Sequence, residues 1–209
     1  EKAYRALDIA KKYDYRKALI ILEDLNLSEK WSFFKTSIQA LYYWDIFRYD
    51  TASKLLKEVK STAEVFLEDR ELGKLSQTVL RLLETSGRIS HLVKQLRRLE
   101  SKGEKDYRKI MKILSKDKEG LMLLSLDALE NSLRRLHEGR YMDSVLRAYR
   151  SVETLVQIIF IIKYELSPWN PEWNLLKETI LEKVEKDLIG LPKISLYNGV
   201  KIIESIPIT

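Results

Sequence analysis

The stretch LDALENSLRRLHEGRYMDSVLRAYRSVE, residues 126–153, reads as two helices joined at Gly139. In its first half Asp127, Asn131 and Arg134 or Arg135 recur at i, i+4 and i+7 or i+8, the spacing that lines up side chains along one helical stripe. Glycine just past such a run is a helix terminator. Beyond the turn, Asp143, Arg147, Arg150 and Thr154 form a polar stripe, and Val145, Val152, Val156 and Ile159 an apolar one, so a second helix is expected. Polar side chains are denser here than helix packing alone requires.

Proline usage extends the helical reading outward. All four prolines (168, 171, 192 and 207) lie in the last 42 residues, so nothing before them obliges a helix to break. Gly73, Gly87, Gly103, Gly120 and Gly139 divide the middle at 14–19-residue intervals, plausible lengths for a helix plus its turn. Lys193-Ile-Ser-Leu-Tyr197 could pass for a strand, but one strand has nothing to pair with. The expectation is an all-α protein of about eight to ten helices, more than about 60% helical.

Asp14 is a natural N-cap for a helix whose face holds Ala18, Leu19, Leu22 and Leu25. Ser28 is expected to cap the next, aromatic-rich helix, which runs to near Arg48, with Asp50 capping its successor. Tyr15-x-x-Ala18 returns 34 residues later as Tyr49-x-x-Ala52, the period of tetratricopeptide-like hairpins. Tyr141-x-x-Ser144 is a third relative, but 92 residues further on, so the array is not regular.

Composition excludes several chemistries. The 209 residues contain no Cys and two His, His91 and His137, which leaves no material for thiolate sites, disulfides or a multi-histidine metal centre. No glycine-rich phosphate loop, nucleophile elbow or zinc-protease signature occurs, so neither a cofactor nor a metal is expected. The greasy run Leu155–Ile162 lies within twelve positions between Arg150 and Lys163, too few to cross a membrane, and reads as a buried helix. A cytoplasmic location is expected, and a start at Glu1 suggests part of a longer polypeptide.

Charge is unevenly distributed. Residues 88–118 carry eleven Lys and Arg against four acids, a balance of +7, whereas the whole chain carries +6. A basic segment of this kind attracts phosphates by counterion release, and Tyr107 offers a stacking face. Arg97, Arg98, Arg108 and Lys109, with Arg134, Arg135, Arg147 and Arg150 of the patterned stretch, are therefore the candidate nucleic-acid contacts. Against this stands an ordinary solvated helical surface, and His137 fits a helix C-terminus favoured by the dipole.

Leu126-Asp-Ala-Leu-Glu-Asn131, Arg134-Arg135, Glu138-Gly-Arg-Tyr-Met-Asp143 and Arg147-Ala-Tyr-Arg150-Ser-Val-Glu153 together resemble the helical C-terminal region of type III CRISPR-associated accessory proteins of the CARF/HEPN class. Leu41-Tyr-Tyr-Trp-Asp45 with Phe47, Tyr49 and Ala52 resembles the family's segment just after its sensor domain. The resemblance implies three regions: helical hairpins over 1–86, a basic insertion or linker over 87–118, and a HEPN-like helical module over 119–209. It also implies a role in RNA-directed antiviral defence, a homodimer, single-stranded RNA as partner, and an upstream sensor domain on the same polypeptide. The family's nuclease motif, Arg followed by four to six residues and His, is absent: residues 84–86 before His91 and 130–132 before His137 contain no Arg, so the catalytic residues are unknown. The competing reading is a non-enzymatic helical scaffold that binds a protein partner.

Overall fold

The computed structural model describes residues 1–23, 25–101, 107–176 and 181–206. Helix accounts for 73% of them, and among the described residues there is no strand. Among the described residues ten α-helices run in order: α1 (Lys2–Ala10), α2 (Tyr15–Leu22), α3 (Glu29–Asp45), α4 (Tyr49–Glu58), α5 (Lys60–Val65), α6 (Gly73–Ser101), α7 (Tyr107–Leu114), α8 (Lys118–His137), α9 (Tyr141–Lys163) and α10 (Leu196–Ser205), with a short 3₁₀ turn at Trp173–Leu175.

The chain divides into two compact units. The first comprises Glu1–Lys94 and Leu133–Ser144; the second comprises Gln95–Ser132 and Val145–Thr209. In the first unit α1 packs on α2, α2 on α3 and α3 on α4. Ala6, Ala18, Ala40 and Ala52 are fully buried, so backbones approach closely, while Leu22, Phe34, Ile38 and Leu56 fill the space between them.

The 34-residue repeat is visible in atomic detail. Tyr13 and Phe47 both have positive φ, 65° and 59°. Each is followed by an N-cap of matching conformation, Asp14 at φ −79°, ψ 65° and Arg48 at φ −91°, ψ 61°. Tyr15 and Tyr49, Ala18 and Ala52, and Leu22 and Leu56 are then buried pairwise. The caps differ chemically: the Asp14 carboxylate accepts the Lys17 N–H at 3.2 Å, whereas Arg48 makes no side-chain cap. Asp50, expected as the cap, sits instead in the first turn of α4, where its charge favours the helix N-terminus. Ser28 is the N-cap of α3 without a side-chain bond, and α3 ends at Asp45 rather than near Arg48.

Two of the expected glycine punctuations do not occur. Gly87 lies inside the 29-residue α6, and Gly120 in the first turn of α8. A single glycine costs a helix only about 1 kcal/mol, less than packing returns. The residue-86 boundary consequently falls within α6, whereas residue 118 opens α8. Gly73 begins α6 at a place where a Cβ would stand 2.6 Å from the Leu67 carbonyl oxygen. Gly103, Lys102 and Lys105 lie outside the described residues, as do the side chains of Tyr107 and Arg108.

The second unit has its own core. Val156, Phe160 and Tyr164 of α9 pack with Leu166, Leu176, Val184, Leu188, Ile194, Ile202 and Ile206. The proline-rich tail is held by Trp173 Nε1–H donating to the Leu191 carbonyl at 3.0 Å and by the Ile194 N–H donating to Pro168 at 2.8 Å. Ser195 caps α10 through the Asn198 N–H at 3.3 Å, so the region considered as a strand contributes a helix start. Gly199 lets α10 approach α9, since a Cβ there would stand 2.5 Å from Val156 Cγ1.

Candidate functional site

The α8–α9 hairpin holds most of the polar residues singled out from sequence. In the second unit its helices are joined by a reciprocal pair: Ser125 Oγ donates to the Ser151 carbonyl at 3.1 Å and Ser151 Oγ to the Ser125 carbonyl at 2.8 Å. Both serines are buried, so neither bond competes with bulk water. Further along α8, Asp127 and Asn131, at i and i+4, are both buried, and Arg147 donates to Asn131 Oδ1 at 2.5 Å. Arg150 is exposed and pairs with Glu153 at 2.5 Å.

Arg134 and Arg135, in the first unit, belong to a different environment. Arg134 Nε donates to Asp45 Oδ1 at 3.2 Å. Arg135 donates to the other Asp45 oxygen and, through one nitrogen, to both Glu138 oxygens at 2.9 and 2.8 Å. Arg140 completes the group at 2.7 Å from Asp143, which lies 3.6 Å from Arg135 Nε. Three arginines thus meet three carboxylates, and Asp45 and Arg135 are 4% and 6% exposed. Buried charges require this kind of matching, because each ion left alone would cost several kcal/mol. The network fixes the turn after α8 to the end of α3 and absorbs both guanidinium groups internally.

Seven of the eight candidate nucleic-acid residues therefore fall into groups, the side chain of Arg108 lying outside the described residues. Arg97 and Arg98 on α6, Lys109 on α7 and Arg150 on α9 are exposed. Arg134 and Arg135 hold Asp45, and Arg147 holds Asn131. His137 is the last residue of α8, exposed, with its ring 6.0 Å from that of Tyr13.

The apolar stripe expected along α9 divides. Val156 is buried and Ile159 packs against the core, but Val145 and Val152 are 62% and 47% exposed. They share that exposure with Met142, Leu146, Tyr149 and Leu155. On α8, Met122, Leu126, Leu129, Leu133 and Leu136 are likewise exposed, at alternating spacings of four and three. That spacing is a helical-seam pattern, carried in the second unit by Met122, Leu126 and Leu129 and in the first by Leu133 and Leu136, and exposed apolar residues so spaced mark interaction surfaces. The spacing was readable in the sequence. Asp45 was not, since its partners lie 89 and 90 positions away.

A family model described as the Csm6 HEPN domain matches residues 111–205, from the end of α7 through α8 and α9 to the last residue of α10. The match supports a CRISPR-associated HEPN-like module over residues 111–205. No curated protein and no solved structure matches the chain. The HEPN-like module includes the reciprocal serine pair, the Asn131–Arg147 bond and both apolar seams. No group of three or more His, Asp or Glu among the described residues is placed to hold a metal ion, and no described helix is long and apolar enough to cross a membrane.

Proposed function

We propose that this chain is the helical effector region of a type III CRISPR-associated antiviral-defence protein, acting on single-stranded RNA as a homodimer, with a sensor domain upstream on the same polypeptide. The observation that carries the reading is the coincidence of the matched family segment with the exposed seams of α8 and α9. A second copy of this chain supplies the matching chemistry, since apolar seams with four-three spacing pack against their like in four-helix arrangements. The exposed cations Arg97, Arg98, Lys109 and Arg150 are the phosphate contacts in this reading, whereas Arg134, Arg135 and Arg147 serve mainly to hold the hairpin in shape. Within these 209 residues RNA is bound and not cleaved, because proton transfer and charge stabilisation on the phosphate need a paired histidine and arginine.

The test is light scattering of the purified chain followed by RNA binding at several salt concentrations. The chain is expected to be a dimer, and combined Leu126→Glu and Tyr149→Glu substitutions to give a helical monomer. Arg97→Gln, Arg98→Gln and Lys109→Gln together should weaken binding to all RNA sequences alike and flatten the salt dependence. A monomeric parent chain, or unchanged RNA affinity in the triple variant, would overturn the corresponding half of the reading. RNA cleavage abolished by His137→Ala would show that catalysis resides here after all. The scaffold alternative draws support from the equivalent turns at Tyr13–Tyr15 and Phe47–Tyr49. It predicts no RNA affinity in either protein.

A further inference from the structure

Within the first unit, the turn between α1 and α2 and the turn between α8 and α9 border an open cavity of about 450 Å³. Four of its lining residues carry or can carry positive charge: Lys12, Lys17, His137 and Arg140. Of its two acids only Glu138 is neutralised by a cation of the protein, while Asp14 keeps its charge and leaves the pair Lys12 and Lys17 in excess by one. Asp14 accepts the Lys17 backbone N–H at 3.2 Å, and Glu138 takes two bonds from Arg135, at 2.9 and 2.8 Å. Arg140 lies 2.7 Å from Asp143, so Lys12 and Lys17 supply the outward charge. Both are exposed on the surface that borders the cavity.

Aromatic surface adjoins these cations. The Tyr13 and His137 rings are 6.0 Å apart and tilted by only 33°, and Tyr13 is placed there by a left-handed backbone, φ 65°. Cations select an anion, and the volume exceeds what an inorganic phosphate fills while matching the lower part of the range for small organic ligands. A ring pair beside the charges suits a planar base. We infer that this cavity binds a phosphorylated nucleotide, with the phosphate on Lys12 and Lys17 and the base against Tyr13 and His137. The nucleotide is either free or the phosphorylated end of a strand, since both present the same groups.

Calorimetric titration of the full chain with AMP, adenosine and inorganic phosphate tests this directly. AMP is expected to bind at least about tenfold more tightly than adenosine, and Lys12→Gln or Lys17→Gln to weaken AMP by about tenfold each, the usual scale for a charge-assisted contact. Tyr13→Leu should weaken AMP and leave inorganic phosphate unchanged, and circular dichroism would establish that each variant is folded. Equal affinity for AMP and adenosine, undiminished binding in both lysine variants, or no AMP binding at all would overturn the inference. Competition between AMP and 5′-phosphorylated RNA, with 5′-hydroxyl RNA inert, would identify the strand end; lack of competition would identify the free nucleotide. A chain that dimerises and binds RNA through Arg97 and Arg98 yet ignores AMP would sink this inference alone and leave the proposed function standing.

Discussion

Three turns in the first unit share one backbone device and differ in the surroundings of the helix that each one starts. Tyr13, Phe47 and Gly139 all adopt positive φ, and in each case the residue after next is a tyrosine that opens a helix. Tyr15 and Tyr49 are buried, at 8% and 2% exposure, whereas Tyr141 is 66% exposed. The early turns have aromatic company: Trp44 meets Tyr49 edge-on at 5.1 Å and Tyr13 meets Tyr15 edge-on at 6.3 Å. The late turn has charge company, from Arg135, Glu138, Arg140 and Asp143. Local sequence sets the backbone path, and the neighbours decide whether the same residue type is a core anchor or a surface group. The late turn is held by ions where the early ones are held by rings.

The largest expected effect breaks the ionic turn. Asp45→Ala removes the carboxylate shared by Arg134 and Arg135, leaving buried charge uncompensated, and should cost about 3–5 kcal/mol in urea unfolding. A loss below about 1 kcal/mol would mean that the turn does not depend on these ions.

Alkaline titration sharpens the contrast at the early turns. Burial, partly offset by the positive charge of Arg134, pushes the Tyr15 hydroxyl up to about 12. In the unfolded chain the phenol ionises near pH 10, so above that pH the unfolded state binds fewer protons and stability falls as pH rises towards 12. The Tyr15 contribution should reach about 2–3 kcal/mol at pH 12, and Tyr15→Phe should flatten the profile by that amount. An unchanged profile would place Tyr15 in water.

Ala18→Leu and Ala52→Leu probe the repeat itself. Both alanines are fully buried, so each substitution should cost about 1–3 kcal/mol by overpacking, with similar losses at the two positions. Strongly unequal thermal shifts would break the equivalence of the two hairpins. The smallest effect is expected from Tyr141→Ser, within about 0.5 kcal/mol for the monomer, because the ring is already solvated.

The helical class was legible because neither proline nor strand alternation intervenes before residue 168, and the repeat was legible because its tyrosines and alanines recur at fixed spacing. The arginine assignments were harder to read. Arg134 and Arg135 look like any basic pair at a helix end, and only the fold brings Asp45 to them. Gly87 misled in the opposite direction, since a glycine inside a long helix is tolerated when its neighbours Ser86, Ile89 and Ser90 are buried. The exposed apolar seams left a clear spacing signal, yet spacing alone does not distinguish a face turned to the core from one turned outward.

The reciprocal bonds between Ser125 and Ser151 act as a registration pin. Each hydroxyl reaches the backbone of the opposite helix, so a slip of one residue, about 1.5 Å along the axis, breaks both links at once. Sliding is thereby penalised twice while rotation of the pair as a block costs neither bond. The hairpin therefore resists sliding of one helix past the other more than it resists movement of the two as one body.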